Sequence, residues 1–324
     1  MRIDVHSHFF PPEYFREVFG RSDADLVMQD DKGEEVLFGL TEPSWDLDLR
    51  LSHMEEAGVS AQVLSLTSPN VYFPDERKSC DLSVVCNDAY ADICRNNPGR
   101  FYFFASVPLV SVEKAIDELH RAMTLPGMKG VVLGTNVLDR PLSSPEFTPF
   151  FETLDSLRLP LFLHPMNTTG REAMREFALE VLVGFPFETT LAITRMVFSG
   201  LMERFPHFDV ILAHMGGAVP YLCERIDYGF TDFPECREKI PKPPGEYFRS
   251  FYYDTALSYG RPTLDCVSAF AGPERILFGT DYPFGMEKKL HCLTVEGVQG
   301  SGLGPEEREK VYGENTKRVL RIDA

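Results

Sequence analysis

Four short apolar runs of this chain end in a residue able to hold a metal ion. They are Asp4-Val5-His6-Ser7-His8, Leu161-Phe162-Leu163-His164-Pro165, Ile211-Leu212-Ala213-His214 and Leu277-Phe278-Gly279-Thr280-Asp281. One such run constrains little. Four, spread over the whole length, call for a fold that gathers several strand ends at one place. A barrel of parallel strands does this at its C-terminal mouth.

The rest of the chain fits that demand. Apolar, β-rich runs recur near 2–6, 61–66, 101–107, 128–133, 160–164, 209–213, 251–255 and 275–280. Several are apolar almost throughout, as strands buried on both faces are. Helical spacing appears between them at 50–57, 82–94, 112–123 and 191–203, the first stopping at Gly58. Eight strands alternating with helices predict an α/β fold, a (β/α)8 TIM barrel. Barrels of about 250 or more residues form single domains, so all 324 residues are read as one. Residues 20–45 break the rhythm. There Asp30-Asp31-Lys32-Gly33 lies between Leu26-Val27-Met28 and Val36-Leu37-Phe38, which predicts a small β-hairpin insertion after strand 1, folded over the mouth. The stretch 234–245 reads as a surface loop.

Composition excludes some partners. The net charge of −17 argues against nucleic acid and against anionic membranes. No run of about 18 apolar residues is present, so no membrane span is expected. The N-terminal residues read as a strand and not as a signal peptide. The seven cysteines form no CxxC and read as free thiols in a reducing cytoplasm. An anionic substrate is not excluded, but in so acidic a protein it needs dedicated basic residues.

His6 and His8 are two apart on a strand and so point to one face. Alone, an HxH is weak. His164 alone could be a satisfied core histidine, and Asp281 alone could cap a helix. Together His6, His8, His164 and Asp281 supply three nitrogens and a carboxylate, with room left for water or substrate. His214 is either a fifth ligand or, as we prefer, a general acid or base beside the metal. The Gly216-Gly217 pair after it is either a turn or a place where substrate nears the backbone.

On these motifs, together with His214-Met215-Gly216-Gly217 and Gly279-Thr280-Asp281-Tyr282-Pro283-Phe284, the chain resembles the amidohydrolase superfamily over nearly its whole length. The branch it resembles is that of the 2-amino-3-carboxymuconate-6-semialdehyde decarboxylases and related aromatic-acid decarboxylases. The resemblance implies one divalent metal, Zn²⁺ first with Mn²⁺ and Co²⁺ also fitting, held by His6, His8, His164 and Asp281. It implies that His214 activates the metal's water, with Asp281 as an alternative proton carrier. Two-metal relatives place a bridging lysine at the end of strand 4. Here Lys129 stands at the start of that strand, so one metal is expected. Arg50 and Arg225 match arginines that bind substrate, Arg225 being donated across a homodimer interface. Arginine suits such a task because its planar fork grips carboxylates bidentately. Phe177 stands where the branch has a tryptophan near substrate, and Met166-Asn167 replace a Trp-Asp pair.

The expected function is thus a metal-dependent, non-oxidative decarboxylase of a small carboxylated ring or ring-cleavage product. The alternative is a hydrolase of the same fold, such as a lactonase. A metal-binding scaffold without activity is the remaining rival.

Overall fold

The structure, a computed structural model, describes residues 1–19, 27–29, 35–37, 42–284 and 288–322; of 19, 27–29, 35–37 and 288 only the main chain is described. Eight parallel strands pair in chain order: β1 Ile3–His8, β2 Ala61–Ser65, β3 Phe101–Ser106, β4 Met128–Gly134, β5 Leu161–His164, β6 Val210–Leu212, β7 Tyr252–Asp254 and β8 Ile276–Leu277. Main-chain bonds then close the ring. Val5 N–H donates to Phe278 O (2.9 Å), Asp281 N–H to His6 O (2.9 Å) and His8 N–H to Tyr282 O (2.8 Å). All eight expected strands are present, and the fold is a (β/α)8 barrel.

Side-chain alternation along the strands separates two cores. Val63, Phe104, Val132, Phe162 and Ile211 fill the barrel, while Leu64, Phe103, Val131, Leu133, Leu161 and Leu212 face the helices. Val319, Leu320 and Ile322 join the interior cluster, so the C-terminal segment plugs one end. Lys129 donates to Arg321 O (3.2 Å), which puts its ammonium beside that plug and away from the strand C-termini.

The helices begin and end where local chemistry directs. Leu47–Ala57 is capped by Asp46, which accepts from Leu49 N–H, and stops at Gly58 in the left-handed region. Glu76–Asn96 is longer than its spacing indicated, because Asp75 caps it by accepting from Arg77 and Lys78 N–H. The helix expected over 191–203 is two: Phe185–Phe198 and Leu201–Arg204, divided at Gly200 (φ 76°). The expected loop at 234–245 contains a 3₁₀ turn, Pro234–Arg237, and ends in the short helix Pro244–Phe248.

Val27–Gln29 pairs antiparallel with Glu35–Leu37, so the hairpin is present. It follows not β1 itself but the helix Pro12–Phe19. Its turn lies outside the described residues. The helical stretch Glu180–Phe198 has the length and apolar composition of a span, but 44% of its most apolar window is buried within the fold. It reads as a packed barrel helix.

Candidate metal centre

The site starts with an irregularity in β1. Asp4 pairs with Gln62, yet Ser7 pairs with Leu64, so β1 takes three steps where β2 takes two. This is a β-bulge, which re-aims side chains. Val5 belongs to the interior cluster, and His6, its neighbour, also packs inside against Phe162 (5.0 Å between centroids). Asp4, below the bulge, faces the other way towards Gln62 and His291. His6 and His8 then share the interior face, as their spacing predicts.

All four histidines of the motifs converge with Asp281. His6 Nε2 lies 3.0 Å from His8 Nε2 and 3.1 Å from Asp281 Oδ1. His8 Nε2 is 3.1 Å from the same oxygen, and His214 Nε2 is 3.3 Å from Asp281 Oδ2. One ligand atom each of His6, His164, His214 and Asp281 falls within 4.8 Å of the others. All are buried. His214 is therefore as close to the common point as the ligands assigned from the motifs.

Hydrogen bonding at the far nitrogens fixes which lone pairs face inward. His164 Nδ1 lies 2.9 Å from Pro165 O, and a carbonyl can only accept, so Nδ1 carries the proton. The basic Nε2 is left buried with no hydrogen-bond partner. His6 Nδ1 likewise donates to Asp254 Oδ2 at 2.8 Å. The inward nitrogens of His6 and His164 are thus oriented by partners behind them, as metal-bound imidazoles are, whereas His214 Nδ1 is buried without a partner among the described residues. An unpartnered buried nitrogen beside three other imidazoles and a carboxylate fits a borderline divalent ion.

The electrostatics follow from this crowding. Burial pulls the His6 imidazole down, but Asp254 and Asp281 outweigh it and raise it to about 10. Burial lowers His8 and holds His164 well below the usual histidine range, with the neighbouring imidazoles adding to the effect. For Asp281, burial opposes ionisation, yet His6, His214 and His8 overcome it and hold the carboxyl well below its ordinary value.

Two ligand-bearing turns are strained. His214 lies two residues past β6 and Asp281 four past β8, not at the strand ends proper. Both have left-handed backbones, with φ of 54° and 67°. Such conformations cost about 1–3 kcal/mol each and persist where the surroundings enforce them. His214 N–H is held by Asp254 Oδ1 (3.0 Å). The turn needs its glycines: a Cβ on Gly217 would lie 1.9 Å from Pro186 O, and one on Gly216 2.6 Å from the Tyr253 ring. Close packing, not an opening for substrate, accounts for the pair.

The other expected residues lie elsewhere. Arg50 is fully buried. It donates to Gln62 Oε1 (3.0 Å), Pro43 O (3.0 Å) and His8 O, and its guanidinium lies 4.7 Å from the Tyr282 ring centre. Both terminal nitrogens of its fork bond protein groups, while its buried Nε has no partner among the described residues. Phe177 is 82% exposed and is not brought to the ligands. Met166 is buried, its sulfur filling the space beside Gly134. Asn167 lines a cavity of about 480 Å³ with Thr135, Asn136, Arg171, Glu188 and Arg195, and none of the site's imidazoles lines it. Arg225 is exposed, with no ion pair among the described residues, between Tyr221 (83% exposed) and Tyr228 (60%) on the helix Val219–Asp232.

The motifs passed over Asp254, which ends β7 and supports both His6 and His214. Its signal was the one used for the others, an acidic residue closing an apolar run, Phe251-Tyr252-Tyr253-Asp254. Phe284, 5.4 Å from His8, and Phe185, 6.3 Å from His164, stand against the imidazoles as aromatic walls.

Comparison with known proteins agrees with this geometry. Residues 3–322 match the family described as Amidohydrolase. A 2-amino-3-carboxymuconate-6-semialdehyde decarboxylase of Dictyostelium discoideum is 31% identical, the match covering 100% of this chain and 92% of that protein. The structure of 5-carboxyvanillate decarboxylase from Sphingomonas paucimobilis superposes with a TM-score of 0.86 at 27% identity, over 99% of each chain. A dihydroxybenzoic acid decarboxylase of Polaromonas, with bound manganese and the inhibitor 2-nitroresorcinol, gives 0.85 at 25% identity, over 100% of this chain and 97% of that one.

Proposed function

The chain belongs to the amidohydrolase family, and on that premise we propose a divalent-metal-dependent, non-oxidative decarboxylase of a carboxylated aromatic ring or ring-cleavage product. It is a carboxy-lyase, as its relatives are. The observation that carries the reading is the convergence of four imidazoles and Asp281 on one buried point, with His164 Nε2 unpartnered. His6, His8, His164 and Asp281 are the residues that would hold the ion. Zn²⁺, Mn²⁺ and Co²⁺ all suit this set, and the manganese of the Polaromonas relative puts Mn²⁺ level with Zn²⁺. A bound ion there supplies fixed positive charge that anchors the substrate's oxygens and offsets negative charge developing on the ring.

The chain's own groups do the rest. His214 Nε2 faces Asp281 Oδ2 across 3.3 Å, a position from which the pair can hold a proton and deliver it to substrate. Transfer of that proton to the ring carbon bearing the carboxylate makes the carbon tetrahedral. The carbon–carboxylate bond then breaks, its electron pair restores the ring, and CO₂ leaves. Phe185 and Phe284 offer flat apolar surfaces to hold the ring in place.

The Tyr221–Arg225–Tyr228 face fits a second copy of the chain, because tyrosine and arginine are favoured at interface centres. On this reading the molecule is a homodimer, and Arg225 meets a substrate carboxylate in the neighbouring site. The seven free cysteines accord with a cytoplasmic setting.

The test offers metal-replete protein three substrates in parallel: 2-amino-3-carboxymuconate 6-semialdehyde, 2,6-dihydroxybenzoate and 5-carboxyvanillate. Chelator-sensitive CO₂ release from one of them is expected. Protein carrying one metal per chain that releases CO₂ from none, yet hydrolyses a lactone, overturns the proposal.

A further inference from the structure

We propose that Asp4, Gln62 and Arg50 form a positioning unit that clamps the two chain segments carrying His6, His8 and Asp281, with Arg50 acting from behind the site through the main chain of His8. The inference rests on the metal centre proposed above but not on the reaction assigned to it.

The three side chains are completely buried. Arginine can only donate, so its bond to Gln62 fixes that amide with Oε1 towards Arg50. The amide's NH₂ is thereby turned to Asp4 Oδ2 (3.1 Å) and His291 Nε2 (2.9 Å). Asp4 then reaches both segments. Its Oδ1 accepts from His6 N–H (3.2 Å) and Thr280 N–H (3.0 Å), and its Oδ2 accepts from the Thr280 hydroxyl (2.7 Å). Thr280 precedes Asp281. At the other end of the relay, Arg50 grips His8 O.

The contacts therefore fall on the main chain at His6, His8 and Thr280, where the ligand side chains take their direction. A buried cation and a buried anion are tied together through one neutral amide, so the three side chains constrain one another, and breaking the tie leaves buried polar groups unmatched. Each backbone contact transmits that constraint to a ligand. Both terminal nitrogens of Arg50 are taken up by Gln62, Pro43 and His8, and only its buried Nε is without a partner among the described residues.

The test uses cobalt as probe. Metal-free wild type, Arg50→Lys and Gln62→Glu are compared by circular dichroism, by Co²⁺ affinity against a competing chelator, and by the visible spectrum of the Co²⁺ protein. Lysine keeps the charge but cannot serve Gln62, Pro43 and His8 at once. Glutamate keeps a partner for Arg50 but sets a carboxylate against Asp4. Both variants are expected to fold, to bind Co²⁺ about 10–100-fold more weakly, as loss of outer supports of a metal site does, and to show a shifted Co²⁺ spectrum. Wild-type affinity and spectrum in either folded variant would overturn the proposal, whatever the loss of melting temperature. Failure of both to fold overturns it too, since the unit then supports the whole fold. If wild type binds one Co²⁺ per chain and the variants lose it, but no decarboxylation is found, the assigned reaction fails and this proposal stands.

Discussion

Asp254 binds the site in two directions at once: its Oδ2 accepts from His6 Nδ1 at 2.8 Å and its Oδ1 accepts from the main-chain N–H of His214 at 3.0 Å. One carboxylate thus sets the rotation of a ligand ring and the path of the turn carrying the neighbouring imidazole. Asp254→Asn keeps the shape but presents an amide to one of these donors. Metal affinity is expected to fall about 10–100-fold with the fold intact, measured by chelator competition. Unchanged affinity would show that His6 needs no carboxylate behind it.

His214→Ala separates proton transfer from metal holding. With His6, His8, His164 and Asp281 in place, the variant is expected to retain about one metal per chain by elemental analysis. CO₂ release should fall by about 10²–10⁴-fold. Loss of the metal with the activity would instead make His214 a ligand.

The raised His6 imidazole gives metal binding a pH dependence of known sign. In the metal-free protein His6 titrates near 10 rather than at its ordinary 6.5. Its contribution to stability is complete below about 6.5 and is lost as pH rises through about 10. Asp281 works in the opposite sense: its contribution is present above its ordinary 3.8 and is lost as pH falls through its lowered value. A ligand nitrogen must be unprotonated, so metal uptake at pH 7–8 should release about one proton and tighten about tenfold per pH unit. Titrating metal-free protein with Zn²⁺ beside a pH indicator checks this, and uptake without proton release sinks it.

Arg225→Ala tests the second copy. The variant is expected to lose activity chiefly through a higher KM, because Arg225 is exposed and is not among the described residues that meet at the metal centre of its own chain. Mixing it with His214→Ala protein should restore low-KM turnover that neither variant has alone, since one site of each hybrid dimer is intact. No recovery after verified exchange of subunits removes Arg225 from the neighbouring site.

Gly217→Ala tests the turn after β6. The added Cβ meets Pro186 O at 1.9 Å and the residue must keep φ at 62°. A loss of about 2 kcal/mol or more is expected from clash and left-handed strain together, read by denaturant unfolding. A variant as stable as wild type would mean that the helix at Pro186 shifts freely.

How far the site was legible depended on the range of the forces that build it. His6, His8, His164 and Asp281 could be found because they close apolar runs, and closing a parallel barrel carries those ends to one mouth whatever the side-chain detail. Asp254 obeyed the same pattern, yet a lone Asp at a strand end is an ordinary cap until its partner is seen. Arg50 illustrates the other limit. Its place on a helix before β2 was readable, but the direction of its side chain was not, because that depends on Gln62, Pro43 and the carbonyl of His8 meeting it in space.

The sequence by itself determined the eight strands, the helices between them and the residue types at the mouth, since periodicity, caps and glycine stops act over a few residues. Only the tertiary structure decided which way those residues face. The bulge between Asp4 and Ser7 arises from pairing with a strand some 58 positions away, as the Ile3–Ala61 register shows, and it turns His6 inward while leaving Asp4 outside. The inward lone pair of His164 is set by the carbonyl of Pro165, and the left-handed turns at His214 and Asp281 by Asp254 and by closure of β8 on β1. Most such contacts join residues distant along the chain, so no local pattern encodes them.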